Sequence, residues 1–492
     1  MESNTPQHTI EKLIQGAQDA LPELKNKNFL ERAALMHLIA DEIEALGEEL
    51  IVTTLEETNL PHVRLKGEQA RTVFQWRSYA DGLAAGTALP VRLDTAVPER
   101  TPPKPDLRKT YMPLGVVVVF GASNFPYAYS TAGGDTASAI AAGCPVIVKA
   151  HPAHPRTSAI MGQAIARGIR KAGLPEGVFG QVFSESNEVG AWLVAHPQVR
   201  AVGFTGSFAG GKALFDVAAN RPDPIPVFAE MGSVNPVFLL PGKMVNAGKI
   251  FAEQYIASLT LGVGQFCTNP GILVVPDNQN LPDFLNVLQQ ELLKAVPVAM
   301  LHQGIADNYQ RIKQQMLSQP GVELIAMVPS GDRIQGNPTL AKVKAKDFLN
   351  QTRLADEVFG PYGLLVTYQN QEELVAVAKK IEGQLTTSIF AEEEEIGQYV
   401  ELIDVLTTKC GRILQNGFPT GVEVTYAMQH GGPFPASTDS RFSAVGPDAI
   451  QRFARPISYQ NWSESALTDE LKNQNPLGIW RTVNSVYTKD PI

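Results

Sequence analysis

The chain has 492 residues, of which 44% are hydrophobic and 18% are charged. This composition is typical of a folded globular protein and excludes an intrinsically disordered chain. The formal net charge of −9 argues against nucleic acid and against an anionic membrane surface as partners, because both would repel a net anion.

The three cysteines, Cys144, Cys267 and Cys410, lie far apart in the sequence. Their spacing fits neither a disulfide framework nor a CxxC pair, so we expect no metal site. A low cysteine content is typical of the reducing cytoplasm. The start of the chain has no secretory signal pattern, and no run of about 18 apolar residues occurs. We therefore expect a cytoplasmic protein without a membrane span.

Apolar residues recur at helical spacing through residues 8–85, which predicts a helical N-terminal region. The stretch 88–113 that follows is rich in proline. It favours an extended connector or an edge hairpin, because proline cannot donate to the ladder of a central strand.

Continuous β-branched runs then alternate with helical segments. Strands are predicted at 114–122, 144–150, 177–184, 199–206 and 225–232, with helices between them at 131–142, 157–172, 188–195 and 207–220. This alternation predicts a parallel, doubly wound sheet covered on both faces. Small ligands are then expected beyond the carboxyl ends of its strands.

A second α/β unit begins after residue 235. Its predicted helices lie at 246–260, 281–294, 304–317 and 371–381, and its predicted strands at 272–276, 364–368, 386–390 and 411–415. The stretch 416–447 is rich in Gly, Pro and Ser and has little periodicity. A long irregular segment of this kind is usually a functional surface. Residues 484–489 predict an edge strand.

Cys267 stands in the loop "LGVGQFCTNPG" (261–271), directly after a helical run. Most free cysteines are buried small hydrophobes, and we interpret Cys144 and Cys410, which abut β-type apolar runs, in that way. Around Cys267, glycines allow a ligand to approach the backbone closely, and the neighbouring side chains are polar. This setting favours a nucleophilic thiolate, which needs access and donors that stabilise negative charge.

Glu230 and Asn124 each stand at or after the end of an apolar strand. A buried carboxylate is costly unless it is paired, so Glu230 is either a charge that reaches solvent at the strand's edge or a general base. Partial burial would raise the pKa of a base toward neutrality, where it works best. Asn124 is either a turn residue or an amide donor to a developing oxyanion.

Two further strand ends suggest a binding site for an anion. Lys149 ends the second parallel strand, where the ligand crevice is expected. The segment "TGSFAGGKAL" (205–214) resembles a phosphate loop that opens a helix with free N–H groups. It matches neither the GxGxxG nor the Walker pattern, so it is weak support when taken alone.

These motifs resemble, in this order, those of the aldehyde dehydrogenase superfamily: "SNFP", "VIVKA", "FTGS", "FAEMGSVNP", "GQFCTNPG" and "EVFGP". The resemblance covers residues 10–460. The stretch 416–446 is similar to the branch that holds 2-oxoglutarate semialdehyde (2,5-dioxopentanoate) dehydrogenases and NADP-dependent long-chain aldehyde dehydrogenases.

The resemblance implies an α/β, aldehyde dehydrogenase-like fold. A Rossmann-like cofactor domain is expected at 1–234, with 105–113 in an oligomerisation hairpin. A second α/β catalytic domain is expected at 235–440, and 441–492 would return to the cofactor domain and add an oligomerisation strand. Family members assemble through this hairpin, so we expect a homodimer or homotetramer.

The resemblance also implies a role for each matching residue. Cys267 attacks the aldehyde, Asn124 and the backbone N–H of Cys267 hold the oxyanion, and Glu230 activates the water that hydrolyses the thioester. The residues implied to bind the cofactor are Lys149 and His151 at the adenosine ribose, Gly206 and Ser207 at the pyrophosphate, and Glu357 and Phe359 at the nicotinamide.

The sequence departs from the family pattern after the second strand. Many members carry a Glu that binds the ribose diol, and Pro152 takes its place here. Without that carboxylate a 2′-phosphate meets no like charge, and His151, His154 or Arg156 can attract it. We therefore expect NADP as the cofactor, with NAD accepted. Ser123 replaces a common Trp, which would widen the substrate tunnel.

We expect 2-oxoglutarate semialdehyde as the substrate, oxidised to 2-oxoglutarate. Its carboxylate requires an arginine for bidentate pairing, and Arg412, Arg441 and Arg455 are candidates, although each fits a surface ion pair equally well. The alternative is a long-chain aldehyde, whose apolar tunnel would be lined by aromatic residues: Phe125, Tyr127, Phe418 and Phe434.

Two other function classes are less well supported. A CoA-acylating dehydrogenase would resolve the thioester with CoA, and relatives of that kind generally lack the base that Glu230 supplies. A catalytically inactive binding protein is disfavoured because Cys267, Glu230 and Asn124 are all present.

Overall fold

The computed structural model describes residues 4–492. Its N-terminal region consists of helices, as predicted. They are α1 (Gln7–Asn26), α2 (Phe29–Glu44), α3 (Gly47–Thr58) and α4 (His62–Ala85). Asn28 and Glu31 form a capping box at the start of α2. The Pro-rich stretch that follows holds two antiparallel strands, β1 (Val91–Asp94) and β2 (Leu107–Pro113).

Strands and helices then alternate, which confirms the predicted doubly wound pattern. The elements are β3 (Val116–Phe120), α5 (Gly134–Ala142), β4 (Val146–Lys149), α6 (Pro155–Lys171), β5 (Phe179–Val182), α7 (Asn187–Ala195), β6 (Val199–Thr205), α8 (Phe208–Ala219) and β7 (Val227–Glu230). The strands pair in parallel in the order β5-β4-β3-β6-β7. The strand order reverses between β3 and β6, so a crevice opens there at the carboxyl ends.

The second unit is a larger sheet. Its elements are β8 (Val237–Leu239), α9 (Pro241–Thr260), β9 (Ile272–Pro276), α10 (Leu281–Leu292), α11 (Gln303–Leu317), β10 (Glu323–Met327), β11 (Thr339–Lys344), α12 (Ala345–Asn350), β12 (Tyr362–Tyr368), α13 (Gln371–Lys380), β13 (Gln384–Phe390), α14 (Glu393–Ile396), α15 (Val400–Thr407) and β14 (Cys410–Gln415). The order is β10-β11-β12-β9-β8-β13-β14, and only the edge strand β10 runs antiparallel among these described strands.

The sequence patterns miss several elements of this unit. They omit β8, β10, β11, α12 and α14. β8 has three residues and α14 has four, so neither is long enough to show a period. β10 is a largely exposed edge strand and lacks the continuous apolar run of a buried one.

A third sheet joins distant parts of the chain. It adds β15 (Ala454–Gln460), β16 (Arg481–Val483) and β17 (Val486–Thr488) to the first two strands, in the order β15-β2-β1-β16-β17. The edge strand predicted at 484–489 is present as β17, the last strand of this sheet. Asn484 and Ser485 have positive φ and form the two-residue turn of a hairpin between β16 and β17.

The domain boundaries at 234 and 440 stay a prediction, and residues 1–3 of the first domain lie outside the described part of the chain. Between residues 4 and 492, no helix combines the length and apolarity needed to cross a bilayer.

Candidate active site

The irregular segment 416–447 packs on the open edge of the first parallel sheet. Thr438 N–H donates to the Ala229 carbonyl oxygen (3.1 Å), and Met231 N–H donates to the Ala436 carbonyl oxygen (2.8 Å). These bonds flank an antiparallel bridge between Glu230 and Ser437. The segment therefore lies directly beside Glu230 at the carboxyl end of β7.

One glycine in this segment and one in β14 allow the segment to approach the second sheet. A Cβ on Gly432 would lie 2.1 Å from the Gln384 carbonyl oxygen at the start of β13. A Cβ on Gly411 of β14 would lie 2.1 Å from the Gly431 carbonyl oxygen. A larger residue at either contact would push the segment away. Gly411 and Gly432 therefore fix the position of His430, which lies close to both contacts.

Glu230, Cys267 and His430 converge at this point. His430 Nε2 lies 3.0 Å from Glu230 Oε1 and 3.8 Å from Cys267 Sγ. Glu230 is 4% exposed and His430 1% exposed, whereas Cys267 keeps a partly exposed face. Cys267 and Glu230, which are 37 positions apart in the sequence, lie within 4.8 Å of each other through their ligand atoms. Sequence reasoning missed His430, whose only signal is its place before a Gly-Gly pair in an aperiodic segment.

The charges of this cluster are strongly coupled. Burial raises the pKa of the Cys267 thiol well above its usual value, and the adjacent Glu230 carboxylate raises it further. For Glu230 burial alone would raise the pKa, but the His430 imidazole and the Cys267 thiol hold it below the usual value. The resting pocket therefore pairs a protonated thiol with an ionised carboxylate that can accept the thiol proton.

The loop that holds Cys267 has a strained entry. Gly262, Val263 and Gly264 all have positive φ, which is costly for a β-branched residue such as Val263. A Cβ on Gly264 would lie 2.4 Å from the Gly360 carbonyl carbon. The cysteine loop is therefore pressed against the "EVFGP" loop, which holds Glu357 and Phe359.

Asn235, which sequence reasoning did not single out, holds the cysteine loop in place. Its Nδ2 donates to the carbonyl oxygens of Cys267 (2.9 Å) and Asn269 (3.0 Å). The Gln384 side-chain oxygen accepts in turn from the backbone N–H groups of Val234 (2.7 Å) and Asn235 (3.0 Å). This network links the Cys267 loop to the start of β13.

Asn124 lies against the same loop from the other side. Its Nδ2 donates to the Gln265 carbonyl oxygen (3.1 Å), and an amide nitrogen carries a second hydrogen for another acceptor. Arg64 of α4 donates to the Asn124 carbonyl oxygen (2.9 Å), and its guanidinium carbon lies 4.5 Å from the ring centroid of Phe125 and 5.3 Å from that of Phe266. Arg64 therefore ties the Asn124 and Cys267 loops together.

A cleft of about 1440 Å³ connects the cluster with the carboxyl ends of the first sheet. It brings together nearly all of the predicted catalytic and cofactor residues, together with Phe125. Its lining includes Asn124, Phe125, Lys149, His151, Gly206, Ser207, Glu230, Cys267, Glu357 and Phe359.

The residues along this cleft offer hydrogen-bond donors and one carboxylate to a bound ligand. Ser207 caps α8, accepting from Gly210 N–H (3.2 Å), so the helix N-terminus opens beside Gly206. Burial lowers the pKa of Lys149. Burial raises the pKa of Glu357 to about 7, although Ser233 N–H opposes the shift.

The histidines after β4 differ in accessibility. His151 lines the cleft, and burial lowers its pKa well below the usual value. His154 is fully buried, with Nε2 3.1 Å from the Ala122 carbonyl oxygen and Nδ1 3.2 Å from Ser158 Oγ. Arg156 pairs with Glu56 and Glu57. Of these three candidates for a phosphate contact, only His151 faces the cleft.

The three candidate arginines lie in different places. Burial lowers the pKa of Arg412, and Cys267 and Tyr129 partly oppose this shift. Arg412 lies in β14 next to Gly411, which contacts Gly431, and it is not among the residues that line the cleft. Arg441 is an exposed residue paired with Asp439. Arg455 is an exposed residue of β15 in the third sheet. Of the three, Arg412 is the partly buried one, and its strand packs against the segment that holds His430.

Residues 3–454 match the model of the aldehyde dehydrogenase family. The chain belongs to this family. It is therefore an NAD(P)-dependent oxidoreductase that oxidises an aldehyde, and the resemblance drawn from the motifs is confirmed.

Similar proteins cover nearly the whole aldehyde dehydrogenase chain. Alpha-ketoglutaric semialdehyde dehydrogenase 2 of Azospirillum brasilense is 46% identical over 96% of this chain and 91% of its own. Alpha-ketoglutaric semialdehyde dehydrogenase of Acinetobacter baylyi is 44% identical over 98% of this chain and 92% of its own length. A crystal structure of a betaine aldehyde dehydrogenase variant from Staphylococcus aureus superposes with a TM-score of 0.78 at 19% identity, covering 93% of this chain and 88% of that one. This structure shows the shared fold.

Proposed function

We propose that this aldehyde dehydrogenase oxidises 2-oxoglutarate semialdehyde to 2-oxoglutarate, using NADP and accepting NAD. Two relatives above 40% identity have this semialdehyde (alpha-ketoglutaric semialdehyde) in their names. The observation that carries the proposal is Arg412, a partly buried arginine on the strand that packs against the segment holding His430. A carboxylate at the far end of a short aldehyde can pair with such a guanidinium.

The proposed catalytic roles are those that the family resemblance implies, and the geometry of the cluster supports them. Glu230 accepts the proton of Cys267 as the sulfur attacks the aldehyde carbon, because the neighbouring carboxylate disfavours a free thiolate. Asn124 Nδ2 and the Cys267 N–H are the donors for the oxyanion. When bound, the dinucleotide supplies the hydride acceptor, and a Cys267 thioester remains. Glu230 passes the thiol proton on to solvent and, oriented by His430, then takes a proton from the water that hydrolyses the thioester.

The surroundings of Arg412 suit a carboxylate ligand. Its two terminal nitrogens donate to the carbonyl oxygens of Gly421 (3.1 Å) and Pro419 (2.7 Å), which holds the guanidinium in one orientation. Its Nε is buried and has no hydrogen-bond partner among the described residues. A buried donor without a partner is costly, so an anionic ligand there would be stabilised.

A second arginine adds positive charge on the same side. Arg71 of α4 donates to the hydroxyl of Tyr129 (3.3 Å), and its guanidinium carbon lies 5.3 Å from the centre of that ring. The Tyr129 ring lies 6.0 Å from the His430 ring. Arg71 and Arg412 thus approach the cluster from the helical region and from β14, and both favour an anionic substrate.

The aromatic residues do not support the long-chain alternative. Tyr127 is fully buried and donates to Thr54 (2.6 Å). Phe418 packs in the core against Phe390, with ring centroids 4.6 Å apart, and Phe434 is 55% exposed. Of the four proposed tunnel residues, only Phe125 lines the cleft. Three of the four aromatic residues proposed to line an apolar tunnel for an extended alkyl chain are therefore absent from the cleft wall.

The test compares kcat/KM for 2-oxoglutarate semialdehyde with that for butanal, in the absence of CoA. We expect the semialdehyde to be strongly preferred by the wild type. Arg412→Leu should lower its kcat/KM by roughly 10- to 150-fold, the effect of losing about 1.5–3 kcal/mol from a charged hydrogen bond. The value for butanal, which has no carboxylate, should stay unchanged.

Arg441→Leu is the matched control, because it removes an exposed arginine that pairs with Asp439. Its specificity ratio should equal that of the wild type. If Arg412→Leu lowers kcat/KM equally for both aldehydes, the arginine only supports the conformation of the loop that contains Pro419 and Gly421. A wild type that prefers a long alkyl aldehyde, or that needs CoA, would refute the proposed reaction.

The preference for NADP is supported by Pro152, which lines the cleft next to His151. A carboxylate at this position would repel a 2′-phosphate and accept hydrogen bonds from a ribose diol. Pro152→Glu should therefore lower the ratio of kcat/KM for NADP to that for NAD by about tenfold or more, equivalent to about 1.4 kcal/mol. Pro152→Gln, which is similar in size and uncharged, should change the ratio much less.

Cofactor affinity should depend on pH through Glu357. Burial raises its pKa to about 7 in the free enzyme, and ribose hydroxyls that donate to the carboxylate would favour the ionised form. Binding then releases a proton. Affinity should rise by up to about tenfold per pH unit as pH increases toward 7, and level off above it.

A fluorescence titration with NADP from about pH 6 to pH 8.5 measures this profile. Glu357→Gln binds no proton, so its profile should be flat over this range. A wild-type profile equal to that of the glutamine variant would show that Glu357 does not contact the cofactor.

The third sheet is the proposed assembly surface for a homodimer or homotetramer. Its edge strand β17 exposes Val486 (62%) and Tyr487 (56%), and an exposed apolar edge strand is a template for pairing with another chain. We place the enzyme in the cytoplasm, as its low cysteine content suggests.

A further inference from the structure

Three metal-ligating side chains of different chemistry meet in the catalytic pocket. One ligand atom each from Cys267, His430 and Glu230 lies within 4.8 Å of the others. We infer that Cys267, His430 and Glu230 form a binding site for a divalent transition-metal ion, with Zn²⁺ as the best match, and that the bound ion reversibly inhibits the enzyme. The inhibition rests on the proposed function, whereas metal binding does not.

The ligand set suits zinc better than other common ions. Thiolate, imidazole and carboxylate are the three ligand types of zinc, and sites with three protein ligands keep one position open. Calcium and magnesium prefer oxygen alone and are not matched here. Zinc bonds of about 2.0–2.3 Å in a tetrahedron separate neighbouring ligand atoms by roughly 3.3–3.6 Å. The distances from His430 Nε2, 3.8 Å to Cys267 Sγ and 3.0 Å to Glu230 Oε1, bracket this range.

The carboxylate provides an independent indication of a ligand. Neither Glu230 oxygen accepts a hydrogen bond from any described residue, although both are buried. His430 Nε2 is close to Oε1, but the contact does not have the geometry of a hydrogen bond. A buried carboxylate without donors is costly, and a cation bound to it would remove that cost.

Sequence spacing gives no sign of such a site. The ligands come from the end of β7, the loop before β9 and the irregular segment 416–447, so no short motif joins them. The prediction of no metal site rested on cysteine spacing, which detects only ligands that are neighbours in sequence. Folding brings these three together through the antiparallel bridge at Glu230.

The consequences of binding follow from proton balance. The thiol must release its proton to form the Zn–S bond, and any proton on His430 Nε2 must also leave, so affinity should rise with pH. The ion occupies the sulfur that attacks the aldehyde and the carboxylate that accepts the proton. Inhibition should therefore compete with the aldehyde, and a chelator should reverse it.

The test uses the full-length enzyme, freed of metal with EDTA and then desalted. Co²⁺ is the spectroscopic probe, because a cobalt–thiolate bond gives a charge-transfer band that requires no catalysis. We expect one Co²⁺ per chain with this band, displaced by Zn²⁺. Stoichiometric Zn²⁺ should suppress both turnover and the alkylation of Cys267 by iodoacetamide, and EDTA should restore both.

Three variants assign the ligands. Cys267→Ser should lose the cobalt band, and His430→Gln should weaken Zn²⁺ binding by more than the roughly 10- to 100-fold that loss of an outer partner costs. Cys410→Ser, at a half-buried cysteine on another strand, should bind Zn²⁺ like the wild type. Thermal unfolding checks that each variant is folded.

Other results would overturn the inference. A wild type without a thiolate band would exclude a Cys267–metal bond, whatever the variants do. Equal Zn²⁺ affinity in wild type and His430→Gln would mean that the thiol binds the ion alone. If the band forms but no aldehyde is oxidised, the metal site stands and the proposed function fails.

Discussion

Cys267→Ala is expected to abolish aldehyde oxidation while cofactor binding persists. The alanine variant has no atom that can form the covalent hemithioacetal, and neither of the other cysteines belongs to the cluster of Glu230, Cys267 and His430. We expect kcat to fall by roughly 10⁴-fold or more, the scale on which covalent enzymes lose activity with their nucleophile. Steady-state formation of reduced cofactor measures the loss, and fluorescence titration with NADP measures binding.

The matched control for this variant is Cys410→Ala. Burial raises the pKa of Cys410, and its sulfur donates to the Leu406 carbonyl oxygen within the second sheet unit. This thiol is a packing residue, so the control should retain wild-type kcat. Substantial turnover in Cys267→Ala would refute the covalent mechanism, and equal loss in both variants would indicate damage to the fold.

The parallel sheet is the part of the fold that the sequence predicts best. Strands such as Val116–Phe120 are buried on both faces, so they appear as continuous apolar runs whose ends mark the crevice. Lys149 and Glu230 stand out because a charge at the end of such a run is costly. Both line the cleft.

In the second sheet, the site residues lie at the opposite ends of the strands. Cys267, Glu357 and Arg412 lie at or before the start of β9, β12 and β14, at the amino ends of its strands. The expectation that ligands bind beyond carboxyl ends therefore holds for the first sheet and not for the second. The cleft forms because the chain enters β8 soon after leaving β7, which places opposite ends of the two sheets against each other.

Residues that act through long-range contacts leave little trace in the sequence. His430 reaches Glu230 on an aperiodic segment whose close approach to the second sheet depends on Gly411 and Gly432. Asn235 donates a hydrogen bond to the backbone of Cys267, which lies 32 positions later in the sequence. Neither hydrophobic period nor local composition can predict such contacts, because both describe neighbours along the chain.

Glu230→Gln is expected to separate the two chemical stages of the reaction. Glutamine is similar in size but cannot take a proton from water. Because it is neutral, it lets the Cys267 thiol release its proton to solvent before the attack, so the thioester on Cys267 should form and accumulate. Mixing enzyme, NADP and aldehyde should give a burst of about one reduced cofactor per site, followed by turnover that is roughly 10²- to 10⁴-fold slower. Rapid-mixing absorbance measures the burst, and mass spectrometry of the quenched protein detects the acylated cysteine.

The same variant should make the thiol easier to ionise. The Glu230 carboxylate raises the pKa of Cys267, because a second negative charge beside it is repelled. Removing that charge lowers the thiol pKa, so the pH profile of alkylation by iodoacetamide should move to lower pH even though hydrolysis is lost. Glu357→Gln, which removes a more distant carboxylate, should shift this profile less. An unchanged profile together with an absent burst would mean that Glu230 serves the attack on the aldehyde more than the hydrolysis.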